Sequence, residues 1–231
     1  MPKQPQAAFE SVFAFPPNRD TLGGTAYLIV ENDSAGAGNV LIDSPPWNEE
    51  TQSFLERHGG IRAWVLTHRG AIAPLKTIRE IVAATGCQPT IQEQEAYLLA
   101  DVPRHTFQHE QVLGDRVRVI WTPGHSPGSS CVYFRDRGGI LFSGRHLLPT
   151  PQGHIGPAYT ANTFHWWRQL RSIAHLRQTL GEDSLAYLCP GARVGFLRGR
   201  HWVDRAWERL TAIDLEAAKL DPLQAVSAPI P

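Results

Sequence analysis

The sequence predicts an α/β domain, and three observations carry that prediction. Short β-rich runs alternate with amphipathic stretches between residues 40 and 100, so strands must be flanked by helices. Three more β-rich runs follow between Val117 and Phe142. Two longer segments, Asn162 to Leu180 and Trp202 to Leu220, then carry apolar stripes at helical spacing. With 231 residues the chain can bury a substantial core in one domain, read as residues 1–220, with residues 221–231 as a loose tail.

Phe9 to Phe15 alternates weakly as a first strand before Pro16-Pro17-Asn18. Ala26 to Val30 and Val40 to Asp43 read as an antiparallel hairpin around the turn from Asp33 to Gly38. Asn48 to His58 is a helix: Asn48 starts it, Glu49 and Glu50 favour its positive end, and Gly59-Gly60 stops it. Arg62 to Leu66 is a strand. Pro74 to Thr85 is a helix with Leu75, Ile78, Ile81 and Val82 on one face and Gly86 beyond its end. A short strand from Gln88 to Ile91 and a short helix from Glu93 to Ala100 follow, and His105 and His109 fall in an expected exposed loop after Pro103. Val117 to Trp121, Ser130 to Phe134 and Gly139 to Phe142 are strands, the last two joined by the turn from Arg135 to Gly138. Pro149 to Ala161 is rich in Pro and Gly and reads as a loop. In the helix that follows, Trp166, Leu170, Ile173 and Leu180 share a face, with Trp167 beside it, the tryptophan pair reading as core cover before a platform for a ring-shaped ligand. A strand from Ala186 to Leu188 precedes the closing helix, which runs through Val203, Trp207, Leu210 and Ala217.

Charge excludes some partners. Lysine plus arginine and aspartate plus glutamate each number 22, so there is no overall electrostatic case for nucleic acid or an acidic membrane surface. Arg193, Arg198, Arg200 and Arg205 cluster around the start of the last helix, as a solvated face or as an anion or partner site. Three cysteines, Cys87, Cys131 and Cys189, have no CxxC spacing, which argues against a disulfide framework and for a reducing compartment. No stretch approaches a membrane span and Met1 to Ala8 has no apolar core of a leader, so the protein is expected to be soluble and cytoplasmic.

Four segments carry the chemistry: Thr67-His68-Arg69-Gly70-Ala71-Ile72-Ala73, Thr122-Pro123-Gly124-His125-Ser126-Pro127-Gly128-Ser129, Phe142-Ser143-Gly144-Arg145-His146 and Cys189-Pro190-Gly191-Ala192. Together they resemble the metallo-β-lactamase family, including its glyoxalase II-like members, over about Gly23 to Ala192. The resemblance implies a four-layer αββα sandwich with the site along one edge, where the loops carrying His68, His125, Arg145 and Ala192 converge. It also implies a dinuclear metal site, and most of its ligands are missing. In the family pattern Thr-His-x-His-x-Asp-His only His68 persists; the other ligands fall at Gly70, Ile72 and Ala73. His125 matches the imidazole of the intact Thr-Pro-Gly-His loop. The bridging carboxylate falls at Arg145 and the last imidazole at Ala192. Asp43 matches the acid that ends the second strand near the site, or serves as a turn acid before Pro45-Pro46. The loop from Thr67 also faintly resembles metallo-hydrolase-like proteins of cyanobacteria and plastids, which makes such a setting an expectation.

Two imidazoles fall short of the three protein ligands of a catalytic zinc site. A fixed cation at the bridging position opposes any metal there: at about 4 Å two unit charges repel by roughly 4 kcal/mol at an effective dielectric near 20. The leading expectation is therefore a non-catalytic protein of this fold, binding, assembling or regulating through an unknown protein partner or a small anionic ligand, with no resident cofactor. Two alternatives stand beside it. One is a hydrolase of a thioester, phosphoester or lactone with a single zinc or iron held by His68, His125 and His146, the other a metal-free anion sensor using Arg145 with Arg69 close by. For His68 and His125 the competing reading is a hydrogen-bonded remnant of each loop. For Arg145 it is an internal salt bridge to Asp43 or another acid.

Overall fold

The computed structural model describes residues 3–31, 38–181 and 184–222. Most of the turn expected from Asp33 to Gly38, and of the tail expected from Asp221 to Pro231, lies outside the described residues.

Two mixed sheets stack face to face between helices. The first has seven strands in chain order: β1 (Gln6–Phe9), β2 (Val12–Ala14), β3 (Tyr27–Ile29), β4 (Val40–Ile42), β5 (Ala63–Leu66), β6 (Pro89–Gln92) and β7 (His105–Phe107). Its first four strands are antiparallel neighbours, whereas β4 to β7 run parallel. The helices α1 (Glu49–Arg57) and α2 (Leu75–Thr85) make the crossovers from β4 to β5 and from β5 to β6. The second sheet has β14 (Tyr187–Pro190), β11 (Ile140–Gly144), β10 (Ser130–Phe134), β9 (Val117–Trp121) and β8 (Glu110–Leu113) in that spatial order. A two-stranded ribbon, β12 (Leu148–Pro149) with β13 (Ile155–Gly156), follows β11. The helices α3 (Trp166–Thr179), α4 (Ala206–Thr211) and α5 (Leu215–Leu220) cover the outer face of the second sheet.

Three apolar layers hold this order. Ile78, Ile81, Phe54 and Leu55 pack on Leu28, Leu41, Trp64 and Leu66 of the first sheet. Tyr27, Ile42 and Val65 of the first sheet meet Val119, Val132, Phe142 and Cys189 of the second. Leu170, Ile173, Leu176 and Leu210 close the other side on Ile120, Tyr133 and Leu141. Alternation along each strand sends neighbouring side chains into different layers, which is how a sheet buried on both faces is built.

Local signals act as expected at several element ends. Asn48 accepts a hydrogen bond from the Thr51 amide at 3.0 Å and starts α1, and Gly86 ends α2 in the left-handed region at φ 69. Elsewhere tertiary pairing overrides the sequence pattern. The expected strand from Phe9 to Phe15 is broken at residues 10 and 11 into the β1–β2 hairpin. The loop expected around His105 and His109 forms β7 and the approach to β8, on edges of the two sheets. Such edge strands carry polar residues, so they lack the apolar alternation that would have marked them. The helix expected from Asn162 begins only at Trp166, where the His165 ring nitrogen accepts from the Arg168 amide.

The closing helix expected from Trp202 to Leu220 is instead two short helices. Val203 is taken into a bridge with Leu188, which keeps the chain extended before α4. After α4, Ile213 is buried in the core, and the Arg177 guanidinium donates to the carbonyls of Leu210 and Ile213. Asp214 then caps α5 through the amides of Glu216 and Ala217. No described helix is long and apolar enough to cross a membrane.

Candidate functional site

The parallel strands β4 and β5 end side by side, so Asp43, Thr67 and His68 emerge together. Asp43 has φ 63, a left-handed conformation that Asp tolerates better than most residues. Its Oδ1 accepts from the Thr67 amide at 2.8 Å and from the Thr67 hydroxyl at 2.7 Å. Having given its only proton to Asp43, the Thr67 hydroxyl accepts from His68 Nδ1–H at 3.0 Å. That tautomer leaves the lone pair on His68 Nε2, which is buried without a hydrogen-bond partner among the described residues. Burial first, then the neighbouring His125 and the charges of Arg145 and Arg69, hold the His68 ring well below its ordinary range and so neutral. Burial raises the Asp43 carboxyl to about 6, with the Thr67 bonds and Arg145 pulling it back.

The loop from Thr122 to Ser129, between β9 and β10, brings His125 to the same edge. Its turn is closed by Thr122 N–H to Ser129 O at 2.8 Å and by Ser126 N–H to Ser129 Oγ at 2.8 Å. Ser130 N–H donates across to Thr67 O at 2.8 Å, tying the two loops together. The His68 and His125 rings lie 5.4 Å apart, edge to face. Burial and then Arg145 and Arg69 lower His125 to about 4. Behind this loop sits Glu95, fully buried, its carboxyl raised by burial and pulled back by the Ser126 hydroxyl and the amides of Gly128 and Arg69.

Arg145 follows Gly144, which turns at φ 51 against Gly191: the Gly191 amide donates to Gly144 O at 2.7 Å. Its guanidinium Nη2 donates to the carbonyls of Thr21 at 2.8 Å and Leu22 at 3.0 Å, and among the described residues Nε is buried without a partner. The internal salt bridge expected as one reading of Arg145 is therefore not formed with any described acid, because the guanidinium is drawn to these carbonyls while Thr67 occupies the near oxygen of Asp43. Arg145 acts on Asp43 only through space.

These loops surround a cavity of about 790 Å³ whose wall includes Arg69, Gly70, His125, Arg145, Ala192 and Arg193. Arg69 reaches over it to the Asn162 carbonyl at 3.0 Å. Among the described residues the wall contains no carboxylate. Of the six residues named from the sequence, Arg69, His125 and Arg145 line the cavity, and His68 and Asp43 stand behind its wall. His146 does not reach it: the residue is 1 % exposed, neither ring nitrogen has a described partner, and burial lowers the ring to about 3. Sequence reasoning missed Glu95 and placed Arg193 in a surface cluster. Its position directly after Ala192, itself a motif position, was the signal that could have found it.

The donor set does not fit the two metals that the family resemblance implies. Gly70, Ile72, Ala73, Arg145 and Ala192 offer no lone pair where five ligands would stand. Among the described residues no three His, Cys, Asp or Glu side chains gather so as to hold an ion, so His68, His125 and His146 do not form the single-metal site considered above. A Cβ built on Gly70 would lie 3.2 Å from His68 Nε2 and 3.7 Å from Arg145 Nη1, so the guanidinium shares the ground in front of the His68 lone pair. Protein purified without chelator is expected to carry well under one equivalent of zinc, iron or manganese per chain. Elemental analysis finding about one or more would overturn the donor argument.

Residues 73–182 match the model of the metallo-beta-lactamase superfamily, a match that begins just past the loop from His68 to Ile72. None of the curated proteins matches the sequence. Solved structures with a similar fold include the B3 metallo-beta-lactamase BLEG-1, at 19% identity and a TM-score of 0.65 over 85% of this chain and 95% of that one. The metallo-beta-lactamase family protein TTHA1429 from Thermus thermophilus is similar at 16% identity and a TM-score of 0.62, over 95% and 82% of the two chains. TTHA1623 in a di-iron-bound form is similar at 22% identity and a TM-score of 0.61, over 84% and 96%. The metallo-beta-lactamase superfamily model is thus matched through the middle of the chain, and the two-sheet fold of solved metallo-beta-lactamases is found along nearly all of it.

Proposed function

We propose that this protein is a non-catalytic member of its fold that binds an anionic ligand, without a metal, in the cavity at the sandwich edge. One observation carries the reading: three guanidiniums, those of Arg69, Arg145 and Arg193, share a cavity wall that, among the described residues, holds no carboxylate. Guanidinium donors match carboxylate or phosphate oxygens in pairs. Arg145 is held by backbone carbonyls, which orient the group but leave its charge uncompensated at short range. Arg69 is likewise held on a carbonyl, that of Asn162.

Calorimetric titration with inorganic phosphate and with acetate tests the reading. At a hundred times its dissociation constant a bound anion should add about 2.7 kcal/mol to stability. Arg145→Ala should weaken binding at least about tenfold, the scale of one hydrogen-bonded charge contact. No heat of binding and no thermal stabilisation by either anion would refute it. The hydrolase alternative separates from this one by metal content.

A further inference from the structure

Resting on that reading, we infer that the ligand is an organic anion with an apolar tail, its carboxylate or phosphate on the arginines and its tail along the apolar residues beside them. Size is the first argument. At about 790 Å³ the cavity lies within the range of sites that enclose whole organic ligands, roughly 300–1,000 Å³, and a bare phosphate or acetate would occupy little of it. Wall chemistry is the second. Beside its cations and the polar His125, Thr160 and Asn162, the cavity is lined by Leu22, Leu98, Leu148, Ala158 and Ala192. Leu148, Ala158 and Ala192 form a small apolar cluster of their own, separate from the three core layers. The cluster is buried, and its edge borders the cavity.

Leu22 is the third argument. It is 76 % exposed although apolar, and it sits in the left-handed region at φ 55, a conformation a leucine rarely adopts. Its carbonyl is one of the two that hold Arg145. The same strained turn therefore fixes the cation and presents an uncovered apolar side chain beside it. A cation with an apolar neighbour beside it selects a head-and-tail ligand.

The test is a calorimetric series of n-alkyl carboxylates from acetate to octanoate and alkyl phosphates from phosphate to hexyl phosphate, with hexanol as the uncharged control. Each methylene buried on the wall should tighten binding by up to about fourfold, and by about twofold if half-covered. The carboxylate and phosphate arms separate the two head groups. Leu22→Asn, suited to the left-handed turn, should weaken hexyl phosphate binding at least about threefold more than it weakens phosphate binding. An affinity independent of chain length, or an unaltered slope in a variant set of Leu22→Asn and Ala158→Ser, would overturn the tail while leaving the anion site standing. Hexanol binding as tightly as hexanoate would overturn the head-and-tail assignment. If no member of either series binds, the anion site itself fails.

Discussion

Gly124→Ala is expected to destabilise the protein by about 3 kcal/mol or more. An added Cβ would lie 2.3 Å from Gln169 Cα and 2.4 Å from its backbone nitrogen, inside α3, where nothing can rotate away. Overpacking of that kind costs about 1–3 kcal/mol, and the residue's φ of 148 adds strain of similar size for any L side chain. The contact is close for a reason. His165 and Phe164 donate to the carbonyls of Gly124 and His125, and Ser172 Oγ donates to Pro123 O at 2.7 Å, so the loop is clamped on the start of α3. Chemical denaturation should show the loss, while Gly195→Ala, where a Cβ would meet nothing within 4 Å, should sit near zero. A change below about 1 kcal/mol at Gly124 would mean that the clamp yields more easily than the geometry allows.

Acid should destabilise the protein well before carboxylates elsewhere titrate. His146 is lowered to about 3 by burial, so above its unfolded value of about 6.5 it contributes stability that drains away as pH falls toward 3. At pH 5 that amounts to about 2 kcal/mol relative to pH 7. His125, lowered to about 4 but only partly buried, adds roughly 1 kcal/mol in the same direction over the window from 6.5 to 4. His68 acts in that direction too. Asp43 opposes them: raised from 3.8 to about 6, it is costly to ionise above pH 6 and regains about 1 kcal/mol by pH 5. The net expectation at pH 5 is a loss of at least about 2 kcal/mol. Denaturation midpoints between pH 7 and 5 measure it. His146→Leu should flatten the profile by about 2 kcal/mol and, by removing two unpartnered ring nitrogens, raise stability at neutral pH. A wild-type profile level between pH 7 and 5 would contradict burial of these rings in their neutral form.

Much of the fold is legible residue by residue. Asn48 and Gly86 bound their helices by local hydrogen bonding and backbone freedom, which the neighbouring chain alone supplies. Edge strands β7 and β8 were hidden because their pairing partners, not their own composition, make them strands. The split of the last helix was hidden because Arg177, on α3, satisfies the carbonyls at the break. At the site, the lack of donor atoms at Gly70, Ile72, Ala73, Arg145 and Ala192, where the resemblance implies ligands, is readable in the sequence, since each is a question of which atom carries a lone pair. The retained glycines at 124, 144 and 191 are readable only as motif letters. Their reason is the approach of one loop's backbone to another, which appears only when the sheets are stacked.

The sequence by itself determined that the chain forms strands between helices, and that its motif segments resemble a metallo-hydrolase edge in which Arg145 stands where the resemblance implies a carboxylate. These follow from residue identity and near neighbours. Tertiary structure alone decided that Arg145 rests on the carbonyls of Thr21 and Leu22 rather than on Asp43, that His146 is buried away from the cavity, and that Arg193 joins Arg69 there. The physical reason is range: backbone preference and lone-pair count act within a few residues, whereas the partner of a guanidinium is chosen by whatever distant carbonyl or carboxylate the packed sheets bring within about 3 Å.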